Sequence, residues 1–568
     1  MKIFFRKNWH YIILTLIIAA AIALRVYHFS EWLHFGMDQA RDANLVSEAV
    51  REGPSKLPLL GPRAGGTFVR LGPVFYYFQY ISVNIFRSIA PPVFAYPDLL
   101  FSILTIPLLF LFLRNFFSKT STLVVTALYA FNFVMIQFSR FAWNPNSVPF
   151  WTLLTFFALL KSVDENRKKK KYIWLILAAT GWAVAGQLHF VVLAAIPAVF
   201  LIFLLWTGKW RNFSWKEAVL VILTLMILFS PMILSDISIK GDNLKQFLWA
   251  FEYKPQDHNF LDNLKTSITM RANYYTVILT TYISPTGKAS ILAGIALSLF
   301  GIGYAAYGIR NEKNEKRKNF LKLIVAWAAV SYLVLIPFAF QIKPRFLFFE
   351  IFIPFIFIGM GIEWLMQGAK YNKLVSSAAI ILASAIICLN LEATKAWFEK
   401  LENGENFKVW GNRLSFIQYP KAVTLSDFRE AANYFEKKWS EDPKKLYFYG
   451  NLELRNPPLY ILELENPQIE YSYFSFKTKD FSGRYFSIST AKGGFESLPK
   501  YYQPKFDLVE DKKFEKLAVQ ELMLKVDQPT KSEVEDLKEP KVESETEKNT
   551  KKGLKKSDRV LWRDLFEN

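Results

Sequence analysis

Apolar positions in this chain come in long unbroken runs rather than in alternation, and the runs stop near residue 391. A bilayer core of about 30 Å needs roughly 20 apolar residues of helix. The runs predict spans at 9–27, 97–117, 120–139, 147–163, 172–187, 189–206, 217–235, 287–309, 320–341, 346–366 and 373–391. As one helix, 172–206 would measure about 52 Å, too long for a single crossing, so a break is placed at Gly186-Gln187-Leu188-His189. Segment 71–90 is also span-like, but Gln79, Asn84 and its aromatic start suit a helix lying in the interface. The first run follows Lys2, Arg6 and Lys7 and reads as an uncleaved anchor, since it is too long for a signal peptide and lacks a small-residue cleavage site.

Beyond residue 391 the pattern turns mixed. Ser426–Trp439 reads as a capped amphipathic helix, and 445–450, 470–474 and 517–526 read as strands. The expected organisation is a membrane domain over 1–391, a small α/β domain over 392–526 and a charged tail over 527–568. Residues 527–557 are too polar to pack and read as disordered, with Leu561-Trp562 and Leu565-Phe566 forming a terminal amphipathic turn. The fold class is thus an α-helical polytopic membrane protein of about eleven spans, with interfacial helices and a C-terminal α/β domain.

Composition sharpens this picture. The 568 residues carry a formal charge of +20 yet are 52% hydrophobic and 17% aromatic, so no single soluble domain accounts for them. Much of the charge sits in short loops: Arg167–Lys171, Arg310 to Lys322, Lys209/Arg211/Lys216 and Lys370/Lys373. Basic loops stay cytoplasmic. They agree with one another if 71–90 does not cross, which puts the N-terminus in the cytoplasm and the C-terminal domain outside a cell membrane. Nucleic-acid binding is a poor use of charge so distributed. The single cysteine, Cys388, excludes a disulfide or a cysteine metal cluster within one chain. No P-loop, GxGxxG, zinc motif or serine elbow stands in a credible context.

Candidate chemistry then falls on the outer ends of the spans. Asp38 opens an amphipathic helix running through Glu52, as an N-cap or as a base at the mouth of a cavity. Arg70 precedes Gly72-Pro73 and an aromatic row with Tyr76 and Tyr77, suited to an interfacial belt or to substrate contact. Arg140 and Trp143 lie in SRFAWNPN, where they could anchor at the interface or bind substrate. His189 sits at the turn between two spans, as a satisfied buried residue or a substrate hydrogen-bond partner. Lys343 and Arg345 share a very short loop and suit either a phosphate or lipid headgroups.

Taken in order, Asp38-Gln39, Gly72-Pro73 with Tyr76-Tyr77, Ser139-Arg140, the turn at His189 and Arg345-Phe346…Pro354 resemble the GT-C membrane glycosyltransferases, in the branch holding protein O-mannosyltransferases and aminoarabinose transferases. The resemblance covers roughly 1–391. It implies a sugar donor on a polyprenyl phosphate and an acceptor hydroxyl on a protein, lipid or glycan. It implies Asp38 as base, and donor or acceptor contacts at Gln39, Arg41, Arg70, Tyr76, Arg140, His189, Lys343 and Arg345. Two departures stand out: Gln39 replaces the family's Glu, and Asn144 and Asn146 stand where relatives carry acid. With one carboxylate left, no metal site or cofactor is expected, because hard cations need several anionic oxygens. A lipid-linked glycan transporter and a non-catalytic scaffold are the rival readings. The first needs polar residues at mid-membrane depth, and the second leaves Asp38, Arg70 and Arg345 unexplained.

Overall fold

The computed structural model describes residues 2–64, 68–253, 259–281, 287–368, 373–403, 423–475, 477–526 and 559–566. The predicted disorder at 527–557 and the basic position Lys370 lie outside these residues. The helices are α1 (Lys2–Val26), α2 (Met37–Glu52), α3 (Val74–Phe86), α4 (Pro91–Leu113), α5 (Lys119–Ala130), α6 (Phe133–Phe138), α7 (Val148–Asp164), α8 (Lys168–Leu188) and α9 (Phe190–Thr207). They continue as α10 (Trp215–Ser238), α11 (Asp242–Tyr253), α12 (Phe260–Thr280), α13 (Lys288–Asn311), α14 (Glu315–Val334), α15 (Phe352–Gly368) and α16 (Lys373–Glu402).

Among the described residues, six helices are long and apolar enough to cross a bilayer: α1, α4, α9, α10, α13 and α16. The 3-10 turn Pro344–Glu350 and α15 form a seventh candidate, bent by 49° at their junction. The chain is therefore a multi-pass membrane protein, but length and hydropathy do not carry eleven spans. The other four predicted spans are helical without meeting that standard. The one at 120–139 breaks at Phe131-Asn132 into α5 and α6, because Asn132 turns its side chain back to cap Met135. The one at 320–341 stops at Val334 and tightens into a 3-10 turn containing Pro337. Helices α7 and α8 hold 17 and 21 residues, and α8 opens with four lysines. Helix α3 has 13 residues, about 20 Å of length and short of a bilayer core. The break between α8 and α9 falls at His189, as expected, with extended backbone there.

The stretch 236–286 between the predicted spans 217–235 and 287–309 is more than a connecting loop. It contains α11 and α12, and the latter buries Arg271, Tyr274 and Tyr275 completely. Helix α12 packs so closely on α13 that a Cβ at Gly294 would collide with the Ala272 backbone. Gly301 likewise meets the Phe357 ring, where a side chain would not fit. Several buried polar side chains in this part of the bundle are paired. Arg271 Nε donates to Glu350 Oε1 at 2.9 Å and Asn390 Nδ2 to Leu279 O at 2.7 Å, while Asn132 Nδ2 reaches Asn390 Oδ1 at 3.0 Å.

The short basic connections meet at one end of the bundle, where Lys171 pairs with Glu217 (3.0 Å), Lys209 with Asp164 (3.9 Å) and Arg317 with Glu363 (3.8 Å). At the opposite end stands the α/β region. Its elements are α17 (Leu425–Glu441), β1 (Leu446–Gly450), α18 (Leu452–Glu465), β2 (Tyr471–Tyr473), β3 (Arg484–Thr490), β4 (Phe506–Lys513) and β5 (Leu517–Leu524). The sheet order is β2-β1-β3-β5-β4, parallel from β2 to β3 and antiparallel beyond. Three strands and α17 match the sequence expectation, and the cap of α17 is Thr424, whose N–H donates to Asp427 Oδ2 at 2.6 Å, rather than Ser426. Strands β3 and β4 and helix α18 were not foreseen, and the composition change at 392 falls inside α16. Phe428, Phe435, Phe448 and Tyr460 join the same buried cluster as Phe35 and Phe94, so α/β region and bundle share one core.

Candidate active site

The five predicted segments, far apart in sequence, close into a ring under the α/β region. Gln39 Nε2 donates to Ala142 O at 2.9 Å. Gly72 N–H donates to Gln187 O at 3.0 Å, an approach so close that a Cβ at Gly72 would strike the Gln187 side chain. Asn144 Nδ2 donates to Leu188 O at 2.8 Å. The His189 and Phe346 rings meet edge to face at 5.1 Å, and the Arg345 guanidinium lies 5.5 Å over the Trp143 ring. Backbone carbonyls and aromatic faces, which the hydropathy pattern does not display, make every closure.

Helix α2 supplies the carboxylates. Its N-cap is Gly36, and the Gln39 side chain reaches back to accept from the Gly36 N–H at 3.1 Å. Asp38 thus lies inside the first turn, near the positive end of the helix dipole. Its Oδ1 accepts from Arg41 Nη1 at 2.6 Å, while among the described residues Oδ2 accepts no hydrogen bond. The Asp38 side chain stays 45% exposed, open to a reacting group. Arg41 Nε also donates to Asp42 Oδ1 at 2.8 Å, and the Tyr76 hydroxyl donates to the same oxygen at 3.1 Å. The row Asp38–Arg41–Asp42–Tyr76 fixes the carboxylate from behind. Burial pushes the Asp42 acid up to about 6 against the opposing pull of Arg41. Burial and Asp42 also raise the Tyr76 phenol well above its ordinary value, so it stays a donor.

Cations surround this row. Arg345 lies within electrostatic reach of both Asp38 and His189, and Lys343 is exposed beside it. Arg70 is 7% exposed. Its backbone is paired on both sides by Asn243 (2.8 and 3.2 Å), and its Nη1 donates to Gly61 O at 3.3 Å. Burial lowers its guanidinium to about 10, and neighbouring Arg559 and Arg63 push the same way.

Two predicted residues face elsewhere. Arg140 is buried with its Nη1 on Arg25 O at 2.8 Å and Nη2 on His28 O at 3.2 Å, closing the C-terminal end of α1, and its guanidinium stacks over Phe398 at 5.1 Å. Gln39 is spent on Gly36 and Ala142. A glutamate there could accept from Gly36 but could not donate to Ala142 O, which gives the departure from the family's Glu a structural reason. Three further residues, which the motifs do not single out, hold the site together. Asp42 lies four residues after Asp38 on the same helix face. Asp98, a lone acid in an apolar run, accepts from Trp143 N–H at 3.0 Å and holds the 139–146 loop. Glu453 of the α/β region accepts from Met37 N–H at 2.9 Å, beside Asp38. Only Asp98 and Asp42 had a signal in the local pattern.

Residues 70–234 match the family described as dolichyl-phosphate-mannose-protein mannosyltransferase. The fold is similar to that of ArnT from Cupriavidus metallidurans bound to undecaprenyl phosphate, at TM-score 0.53 and 13% identity over 89% of this chain and 97% of that one. The Archaeoglobus fulgidus oligosaccharyltransferase aligns at TM-score 0.48 and 12% identity over 88% of this chain and 71% of its own. No curated protein matches the chain by sequence. The chain is thus a multi-pass membrane protein whose fold is similar to that of ArnT, and its residues 70–234 match the dolichyl-phosphate-mannose-protein mannosyltransferase family model.

Proposed function

We propose that this protein transfers a glycosyl group from a polyprenyl-phosphate-linked sugar to an acceptor hydroxyl, at the extracytoplasmic face of an eleven-span bundle. The observation that carries the reading is the ring itself: a half-exposed carboxylate, Asp38, flanked by Arg41 and Arg345 where five distant segments converge. The likeness in fold to a structure that holds undecaprenyl phosphate supports a lipid-phosphate donor. In this reading 1–391 form the membrane domain, 392–526 an extracytoplasmic domain above the site, and 527–568 a charged tail.

Asp38 takes the proton of the acceptor hydroxyl as its oxygen attacks the anomeric carbon. The new bond to that oxygen forms as the bond to the phosphate oxygen breaks, and the electron pair leaves on the polyprenyl phosphate. Single displacement inverts the sugar carbon. Arg345, Lys343 and Arg70 stabilise the phosphate charge that develops. Arg41, Asp42 and Tyr76 hold Asp38 in place, and His189 stands at the donor side beside Arg345. Four of the buried polar side chains inside the bundle, Arg271, Glu350, Asn132 and Asn390, are engaged with one another or with backbone. Such pairing suits structural anchors better than a transport path.

The test is purified protein in lipid with a panel of radiolabelled polyprenyl-phosphate sugars, wild type against Asp38→Asn. Transfer by the wild type that disappears in the variant is expected. Full transfer by a folded Asp38→Asn protein removes the assignment.

A further inference from the structure

The segment 559–566 returns to the site. Leu59 N–H donates to Val560 O at 2.9 Å and Trp562 N–H to Leu57 O at 3.1 Å, so 560–562 pair as a short strand with 57–59. Trp562 Nε1 donates to the Tyr77 hydroxyl at 2.9 Å. Trp562 and Phe566 also wall an apolar cavity of about 450 Å³ with Pro54, Leu57 and Tyr77. The same segment brings Arg559 next to Arg63 and Arg70, themselves paired across a β-bridge.

These three guanidiniums have no carboxylate partner among the described residues, and their N–H groups are incompletely used. Arg63 Nε and Nη2, Arg70 Nε and Arg559 Nε are all buried without an acceptor. Arg70 is buried and Arg63 and Arg559 are half-buried; three like charges so close repel, and each unused buried donor costs free energy. The arrangement makes sense when an anion with several acceptor oxygens sits among them. The apolar cavity walled by Trp562 and Phe566 of the same segment fits an anion carried on a hydrocarbon chain.

We propose that the segment Arg559–Phe566 is a working strap of the site, laying Arg559 beside Arg63 and Arg70 to complete a three-arginine seat for a phosphate monoester. The carrier of that phosphate, a polyprenyl chain, rests on the glycosyl-transfer reading. The anion itself rests on the arginines alone. Strap and seat tie residues 559–566 to the loop before α3, so the site is complete only when these two segments have met.

The experiment measures the affinity of the full-length protein in lipid nanodiscs for undecaprenyl phosphate and for inorganic phosphate, with phosphatidylglycerol as a competing headgroup. Arg559→Gln should weaken undecaprenyl phosphate binding about tenfold or more, the worth of a charge-assisted contact. Arg559→Lys should recover part of the loss, which loss of folding alone would not allow. Trp562→Ala, which frees the strap with Arg559 intact, should weaken binding too, and adding Arg559→Gln to it should cost little more. If the wild type binds inorganic phosphate but not undecaprenyl phosphate, and Arg559→Gln removes that binding, the seat stands and the donor reading fails. Unchanged affinity for both ligands in Arg559→Gln overturns the proposal. So does tighter binding in Trp562→Ala, or phosphatidylglycerol competing as well as undecaprenyl phosphate does.

Discussion

Asp38 and Arg41 form the closest ion pair beside the proposed reaction centre, at 2.6 Å, and Arg41 is held in turn by Asp42. Removing Asp42 should therefore act through Arg41 on the orientation of Asp38, lowering kcat rather than raising KM. Its titration gives this a pH signature. With an acid pushed up to about 6, Asp42 keeps its proton in the folded protein at a pH where the unfolded chain has lost it. Its contribution to stability is therefore full below the ordinary carboxylate range, near pH 4, and is lost as pH rises through about 6. Activity should run the other way: below about pH 6 a neutral Asp42 releases Arg41, and kcat falls. Asp42→Asn should flatten that acid limb, and an unchanged limb would assign it to another group. Arg140 makes the opposite prediction. Because it caps carbonyls at the end of α1 and stacks on Phe398, Arg140→Ala should cost about 3 kcal/mol of stability, read as a lower thermal midpoint, with donor KM unchanged in the protein that remains folded. Arg140 stood out in the sequence and Asp42 did not, and the sequence displayed the role of neither. Whether a guanidinium faces solvent or a helix end depends on neighbours about 100 residues away.

Among the elements, the 3-10 turn Pro344–Glu350 decides where Arg345 stands. Its last residue, Glu350, is fully buried against Arg271 of α12, and Trp327 Nε1 donates to Phe349 O at 3.1 Å. The pair clamps the bend before α15 and so positions Arg345. Breaking one partner leaves a buried charge uncompensated, and Arg271→Met should cost about 3–5 kcal/mol. Arg271→Met with Glu350→Leu should recover much of that stability, since paired apolar groups replace paired charges. A double variant no more stable than the single one would show that the pair is worth more than its own balance. Long apolar helices such as α1, α9, α10 and α13 were legible because a continuous run has one meaning at this length. Helix α12 was not, because FLDNLKTSITMRANYYTVILT mixes polar and apolar residues and its buried face is built from Arg271, Tyr274 and Tyr275. The same holds for α18, whose interior carries Pro457-Pro458 and which is helical because it packs on α2 and α17.

At the scale of the whole molecule, the α/β region is part of the site's frame. Glu453 accepts from the first turn of α2, the Tyr460 hydroxyl meets Ser47 at 3.0 Å, and Leu425 N–H donates to Leu33 O at 3.0 Å. Uncoupling it with Glu453→Ala and Tyr460→Phe together should loosen α2 more than the bundle. The expected result is faster amide exchange over 37–52 and a lower kcat, with exchange in α9 and α13 unchanged. Equal exchange in α2 with and without the two side chains would make the α/β region a passenger. By itself the sequence determined that the chain lives in a membrane, where most of its long helices run, that their basic connections gather at one end, and which five motifs carry candidate chemistry. Those properties follow from local hydropathy and charge, which each segment states on its own. Tertiary structure alone decided that the five motifs form one ring, that Asp38 is backed by Arg41 and Asp42 rather than capping a helix, and that Arg559 returns to Arg63 and Arg70. Those arrangements depend on backbone carbonyls, aromatic faces and buried guanidiniums meeting across hundreds of residues, and no local pattern records which partner each will find.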